Sequence, residues 1–138
     1  MKTSIDNIAT FLAATIMADG NYDEAEKIAL GEIAEAFELK EDALINAVDT
    51  EIAVQEKLSD KSLKEHLCVA STSVEGDENM YIFEAVLEII LVDGILTADE
   101  VDIMFYIADL LAISQSDAVL MLADMVKEEP ELEIKINC

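Results

Sequence analysis

The chain has 138 residues, 53% of them hydrophobic, a length and composition that fit one folded domain with a core of its own. Its 31 acidic and 8 basic residues give a formal charge of −23, which argues against binding to nucleic acid or to anionic lipid. The same charge favours a cation or a basic protein as the partner. Four glycines and one proline leave little material for turns, so we expect an all-α protein.

Seven helices are predicted from the helical spacing of apolar residues and from capping residues at the helix starts. In chain order they are about 4–18, one from 24 on, about 41–57, 61–72, one ending at 92, one from 98 on, and about 115–128. The sixth is apolar nearly all round, so we expect it at the centre of the fold. Pro130 ends the helical part, which predicts a domain over 1–129 and a C-terminal tail over 130–138.

One sequence pattern, Asp-Gly-x-apolar-x-x-x-Glu, occurs twice, at residues 19–26 and 93–100. The offset is constant, since 93 − 19 = 74 and 100 − 26 = 74. Apolar residues also correspond at this offset without a gap, as Ile33 does with Ile107. We therefore predict an internal pseudo-two-fold repeat, in which helices one to three match helices five to seven and the fourth helix bridges the copies.

Helix capping is one interpretation of the duplicated pattern. The glycine ends a helix in the left-handed conformation, and the residue three positions later caps the next helix. The glutamate, three residues further on, completes a capping box. On this interpretation the chain is a purely structural protein-interaction domain that binds no metal.

A divalent-cation site shared between the two copies is the other interpretation. An aspartate at the end of a helix faces the negative end of the helix dipole, so its recurrence in both copies needs a compensating interaction. A single EF-hand loop is disfavoured, because its first ligand positions would fall on apolar helical residues such as Met17 and Leu91. We expect Ca²⁺, Mg²⁺ or Mn²⁺ in one acidic cleft formed by Asp19, Asp23, Glu26, Asp93, Asp99 and Glu100.

These motifs resemble the TerB-like tellurite-resistance domain over nearly the whole chain. The residues that carry the resemblance are Ile16-Met17-Ala18-Asp19-Gly20 with Glu26 and Ile33-Ala34, and Leu91-Val92-Asp93-Gly94 with Glu100 and Ile107-Ala108-Asp109-Leu110-Leu111. The resemblance implies an all-helical fold with a pseudo-two-fold, an acidic centre that binds divalent cations, and a stress-related role. The family also includes the N-terminal part of a membrane-anchored DnaJ-type co-chaperone. We expect no co-chaperone function, because the 138 residues contain neither a J-domain nor a membrane anchor.

Catalysis is not expected from this sequence. His66 is the only histidine and lies two residues from Cys68, so the chain offers neither a ferritin-type di-iron site nor a nucleophilic triad. It has no glycine-rich phosphate loop. A metal-dependent hydrolase is the third alternative, disfavoured because no base or nucleophile is evident.

Four further features of the sequence concern the core, a possible membrane span and the cellular compartment. Glu84 and Glu88 are expected to form the solvated edge of an apolar helix, and Met104, Met121 and Met125 to fill gaps in the core. The longest apolar run, 81–92, is interrupted by those two glutamates, which predicts no membrane span. The N-terminus lacks a signal-peptide pattern, so we expect a cytoplasmic protein in which Cys68 and Cys138 are free thiols.

Overall fold

The computed structural model describes residues 2–20, 22–92, 94–127 and the backbone of 133–135. Within these residues the fold is all-α, as predicted. The helices are α1 (Ile5–Asp19), α2 (Glu24–Ala36), α3 (Glu41–Gln55), α4 (Asp60–Ser71), α5 (Asn79–Leu91), α6 (Ala98–Leu110) and α7 (Gln115–Val126). A 3₁₀ turn at Gly76–Glu78 lies between α4 and α5.

Hydroxyl and carboxylate side chains fix most of the helix starts. In each such case the side chain of the N-cap residue accepts a hydrogen bond from a backbone N–H in the first turn, which satisfies a donor that the helix itself cannot pair. These N-cap residues are Ser4, Asp23, Ser59, Thr97 and Ser114. Because such caps are local in sequence, the observed starts agree with the predicted ones to within a residue or two.

The helix starts of the two halves are 74 residues apart throughout. Helix α1 starts at 5 and α5 at 79 (5 + 74), α2 at 24 and α6 at 98 (24 + 74), and α3 at 41 and α7 at 115 (41 + 74). The helix order of the two halves is therefore the same. The two-fold rotation that the repeat implies stays a prediction.

Helices α1 and α5 form the centre of the fold. Residues 8–16 of α1 are all buried, and α1 packs against α3, α4, α5 and α6. Helix α6, which was predicted to be central, packs against α1, α4, α5 and α7 but is less buried than α1. Its buried residues form one stripe that includes Met104 and Ile107, whereas Val101 and Phe105 remain partly exposed. The sequence shows how much apolar surface a helix has. The neighbouring helices determine how much of that surface is buried.

The predicted C-terminal tail contains a short strand. Strand β2 (Glu133–Lys135) runs parallel to β1 (Ile95–Thr97), in the register Ile95 to Glu133. The other residues of the tail, including Pro130 and Cys138, lie outside the described residues. In the part of the chain that the structure describes, no helix has the length and apolar character needed to cross a membrane.

Candidate functional site

The first copy of the motif is a helix-to-helix junction. Gly20 ends α1 in the left-handed conformation, with φ of 81°. Asp23 caps α2, because its Oδ1 accepts a hydrogen bond from the Ala25 N–H at 3.0 Å. The Asp23 N–H in turn donates to Oε2 of Glu26 at 3.3 Å, which closes the capping box. The spacing of this motif therefore follows from its role in joining α1 to α2.

The second copy forms the same kind of junction between α5 and α6. Gly94 has φ of 75°, close to that of its counterpart in the first copy. The Glu100 N–H donates to Oγ1 of Thr97 at 3.2 Å, and the Thr97 N–H donates to Oε1 of Glu100 at 3.1 Å. Both glutamates of the duplicated motif are thus engaged in capping boxes.

Glu26 holds a proton up to neutral pH. Its side chain is only 1% exposed, and burial, followed by the hydrogen bond with the Asp23 carboxyl, raises its pKa to about 7. The same hydrogen bond is the main cause of the lowered pKa of Asp23. The two carboxyls therefore carry about one negative charge between them below neutral pH.

The six predicted ligands have different surroundings in the structure. Asp19 is half-buried at the end of α1, Asp23 and Asp99 are exposed, and Glu26 and Glu100 are buried in their capping boxes. Asp93 lies outside the described residues. Among the residues that are described, no three His, Cys, Asp or Glu side chains are grouped to hold a metal ion. The convergence of all six includes Asp93 and stays a prediction.

An open groove of about 650 Å³ lies between α2, α5 and α7. Its lining combines apolar residues with four acidic residues, three of which are exposed. The apolar residues include Ile28, Phe37, Tyr81, Val92, Met121 and Met125. The acidic residues are Glu32, Glu84, Glu88 and Asp124. Ile28 and Tyr81 are 57% and 56% exposed, so a substantial apolar surface faces solvent within an acidic frame.

Glu32 of α2 and Glu88 of α5 form a carboxyl pair in this groove. Glu88 is half-buried, and burial, followed by its hydrogen bond with Glu32 and the charge of that residue, raises the pKa of Glu88 to about 7. A neighbouring carboxyl disfavours ionisation, which is why the contact with Glu32 adds to the effect of burial on Glu88.

The groove was not predicted from the sequence. Glu84 and Glu88 were expected to be solvated, which describes Glu84 but not the half-buried Glu88. Met121 and Met125 were expected in the core, yet both are partly exposed and line the groove, whereas Met104 is buried. The sequence offered one signal, a glutamate at position 88 within an otherwise apolar helix. It does not show which other helix covers that glutamate in the fold.

The remaining polar clusters have structural partners. Nε2 of His66 lies 2.8 Å from Oε1 of Glu51, which also accepts the Thr10 hydroxyl at 2.6 Å, so α4, α3 and α1 are joined. A shallow depression on the other face of α4 contains Lys64 and the exposed Cys68. Neither of these two places combines apolar lining residues with an excess of acidic ones, as the groove does.

The fold and the groove define the class of protein: a small, acidic, all-α domain with two matching helix junctions and an open surface groove. The family model described as "Tellurite resistance protein TerB" matches residues 6–123. The chain therefore belongs to the TerB family, as the resemblance indicated. No curated protein and no solved structure gave a significant match to the chain.

Proposed function

We propose that this TerB-family protein is a binding module, not an enzyme, and that its groove between α2, α5 and α7 binds another protein. The bound segment is an amphipathic helix whose apolar face lies against the apolar residues of the groove and whose basic residues face its acidic residues. The observation that carries this proposal is the combination of exposed apolar side chains, such as Ile28 and Tyr81, with four acidic residues around them.

Charge complementarity decides between the possible occupants. No lysine is among the described residues that line the groove, and the whole chain has a charge of −23. A second copy of the chain would bring a second acidic frame against the first, which like-charge repulsion disfavours. A basic segment is instead attracted to the acidic groove over a distance, and its basic side chains can pair with the acidic residues of the groove.

A helix of suitable length fits the groove. The lining residues of α5 and its C-cap extend from Tyr81 to Val92, which corresponds to about 16 Å at the usual helical rise per residue. A helical segment of roughly 12 residues spans this distance. Docked there, it would pack against three existing helices in the way that helices pack in bundles.

The proposal is tested with a synthetic peptide of about 14 residues, long enough to span the groove. It carries leucine on one face and lysine on the flanks, and both ends are blocked. We expect saturable binding by calorimetry, no binding of a peptide in which glutamate replaces lysine, and weak binding of a scrambled peptide. Equal binding of all three peptides, or of none, would contradict the proposed function.

Matched variants locate the binding surface. Ile28→Lys places a positive charge in the groove at an exposed position, so it should weaken peptide binding at least about tenfold without unfolding α2. Val69→Lys makes the same chemical change at a residue of α4 that is 68% exposed and does not line the groove. If both variants weaken binding equally, the effect comes from net charge and the groove is not the site.

A divalent cation at the ends of the duplicated motif is the second candidate. Asp19 favours it, because this half-buried carboxylate lies at the C-terminal end of α1, where the helix dipole disfavours a negative charge. Ca²⁺, Mg²⁺ or Mn²⁺ bound there would offset that cost.

A role in tellurite resistance is also part of the proposal and is supported by the family description alone. The test is growth on tellurite of a sensitive host that expresses the wild-type chain, Ile28→Lys or Val69→Lys. Protection that is lost only with Ile28→Lys would connect resistance to the groove.

A further inference from the structure

We infer that the partner helix docks in the groove as α4 docks on the other half of the chain. Its leucines take the positions of Leu63 and Leu67 of α4, and its basic residues take those of Lys64 and His66. The inference rests on the proposed function, because it concerns the occupant of the same groove. It adds the direction of the bound helix and the order of its apolar and basic residues.

Contacts between helices recur in the two halves of the chain. Helix α1 packs against α3 and α6, and its counterpart α5 packs against α7 and α2. Likewise, α2 packs against α3 as α6 packs against α7. Helix α4 packs against α1 and α6, so an exchange of the halves places its counterpart against α5 and α2. The groove lies against these same two helices.

The position of α4 in the repeat corresponds to a strand in the second half. The offset of 74 would start a counterpart of α4 at position 134 (60 + 74), where the described backbone forms β2 (Glu133–Lys135) along β1. The described residues therefore contain a helix at this place in one half and an open groove at the matching place in the other.

Burial along the two central helices differs on the side of the groove. Residues 8–16 of α1 are all buried, and the residues of α5 at the offset of 74 are buried too, except Glu84 and Glu88. Both exceptions line the groove, whereas their counterparts Thr10 and Ala14 are only 4% and 2% exposed. The burial that α5 lacks is therefore at the place where the exchange of halves puts a helix.

The inner face of α4 gives the apolar register of the partner helix. Leu67 is fully buried, Ala70 is 6% exposed, and Leu63 is partly buried against the core. These residues are three and four positions apart, so they lie on one face of the helix. A partner helix with the same spacing would present two leucines and a small residue to the apolar lining of the groove.

Lys64 gives the position of one basic residue. Its Nζ lies 5.5 Å from the centroid of the Tyr106 ring, and the Tyr106 hydroxyl donates to the Lys64 carbonyl at 3.2 Å. Position 106 of α6 corresponds to position 32 of α2 (106 − 74 = 32), which is Glu32 in the groove. A lysine of the partner at this position would therefore meet a carboxylate where Lys64 meets an aromatic ring.

His66 gives the position of the other basic residue. Its Nε2 lies 2.8 Å from Oε1 of Glu51, which also accepts the hydroxyl of Thr10. Position 51 corresponds to Met125 (51 + 74 = 125), and position 10 corresponds to Glu84 (10 + 74 = 84). In the groove the carboxylate is thus on α5 instead of α7, and a basic residue at the position of His66 would pair with Glu84.

The experiment uses the full chain and a blocked peptide of residues 59–72 that carries Glu65→Lys, His66→Lys and Cys68→Ala, here named the α4 peptide. These changes make the peptide basic and keep the leucines in place. The exchanged peptide has the same composition, but its residues at positions 65 and 67 are interchanged, which puts a lysine where Leu67 belongs. We expect saturable binding of the α4 peptide by calorimetry and at least about tenfold weaker binding of the exchanged peptide.

Double-mutant cycles locate the two basic residues of the bound peptide. Glu32→Gln should couple with glutamine at position 64 of the peptide, and Glu84→Gln with glutamine at position 66. Each coupling should be about two- to fivefold in affinity, as for an exposed ion pair. Asp124→Asn removes the same charge from an exposed groove residue of α7 and should couple with neither position. All three residues are exposed, and circular dichroism verifies the fold of each variant.

The outcomes separate this inference from the proposed function. If the α4 peptide and the exchanged peptide bind equally, or if Asp124→Asn couples as strongly as the other two variants, the inference is wrong, while binding of the leucine–lysine peptide still supports the groove as a helix site. If none of these peptides binds, both fail. Ile28→Lys should weaken binding of the α4 peptide. Binding that Ile28→Lys leaves unchanged would mean that the peptide replaces α4 in its own place, which would also overturn the inference.

Discussion

Glu38 and Ala112, which are 74 positions apart, both adopt a left-handed backbone, with φ of 58° and 60°. Each follows the last turn of a helix, α2 in one half and α6 in the other. In both halves the N–H of the next residue donates to the carbonyl five positions earlier, at 2.8 Å. The two halves therefore end their second helix in the same way, although neither position has the glycine usual at such an end.

We predict that Ala112→Gly stabilises the protein by about 0.5–1 kcal/mol, because glycine removes the strain of a Cβ at positive φ. Ala112 is exposed, so the change removes no buried contact. The measurement is the free energy of unfolding from urea titration. Ala123→Gly, also exposed but within α7, is the control and should destabilise by roughly 0.5–1 kcal/mol. Destabilisation by both changes to the same extent would show that position 112 is unstrained.

The carboxyl pair predicts a pH-dependent stability. The pKa of Glu88 in the folded protein is about 7, above the ordinary value of 4.5, so the native state binds more protons than the unfolded state between these values. This residue's contribution to stability is therefore greatest below pH 4.5 and is lost as the pH rises through 7. Glu88→Gln removes the cost of ionisation, so it should raise the melting temperature at pH 8 and have little effect at pH 5.

Glu84→Gln is the matched control for this change, since Glu84 is an exposed glutamate on the same helix. It should shift the melting temperature similarly at both pH values, through the net charge alone. A stabilisation by Glu88→Gln that is as large at pH 5 as at pH 8 would contradict the raised pKa of Glu88.

The capping boxes lead to a prediction at Glu26. Glu26→Gln keeps an oxygen that can accept the Asp23 N–H and removes a carboxyl that is costly to ionise, so at pH 8 it should be neutral or stabilising. Glu26→Ala leaves that N–H without its partner and a gap in a buried site, at a cost of about 1–2 kcal/mol. Urea unfolding at pH 8 compares the two. Equal destabilisation by both variants would mean that the carboxylate has a role other than capping.

The sequence predicted the helix junctions well because their determinants are local. A glycine that ends one helix, an N-cap three residues later and a glutamate three residues after that fall within eight positions, as at Asp19 to Glu26. The structure confirms the capping boxes with Glu26 and Glu100. Such hydrogen bonds need no knowledge of the distant chain.

The groove depends on contacts that are distant in sequence, and this is why it was missed. Glu32 and Glu88 are 56 residues apart (88 − 32 = 56), and only the packing of α2 against α5 brings them together. Likewise, α1 and α6 both appear strongly apolar in sequence, yet residues 8–16 of α1 are all buried whereas α6 is buried on one stripe. Periodicity identifies an apolar face, but the tertiary packing determines whether that face becomes core or binding surface.

The second candidate function predicts that millimolar Ca²⁺, Mg²⁺ or Mn²⁺ raises the melting temperature. Asp19 and Asp93 occupy matching positions in the two copies, and a cation held between the copies would bind only the folded chain. Such binding stabilises by mass action, about 2.7 kcal/mol at a hundredfold excess over the dissociation constant. The double variant Asp19→Asn with Asp93→Asn should abolish the rise.

Two controls make this test decisive. Sodium at the same ionic strength measures the screening of a charge of −23, which by itself stabilises a highly acidic chain. The double variant Asp42→Asn with Asp117→Asn changes the net charge equally at two exposed positions, so it should respond to divalent ions as the wild type does. If sodium is as effective as the divalent ions, or if the two double variants respond alike, the shared cation site is wrong. Helix capping would then account for the duplicated motif by itself, since Glu26 and Glu100 already have their partners in the two junctions.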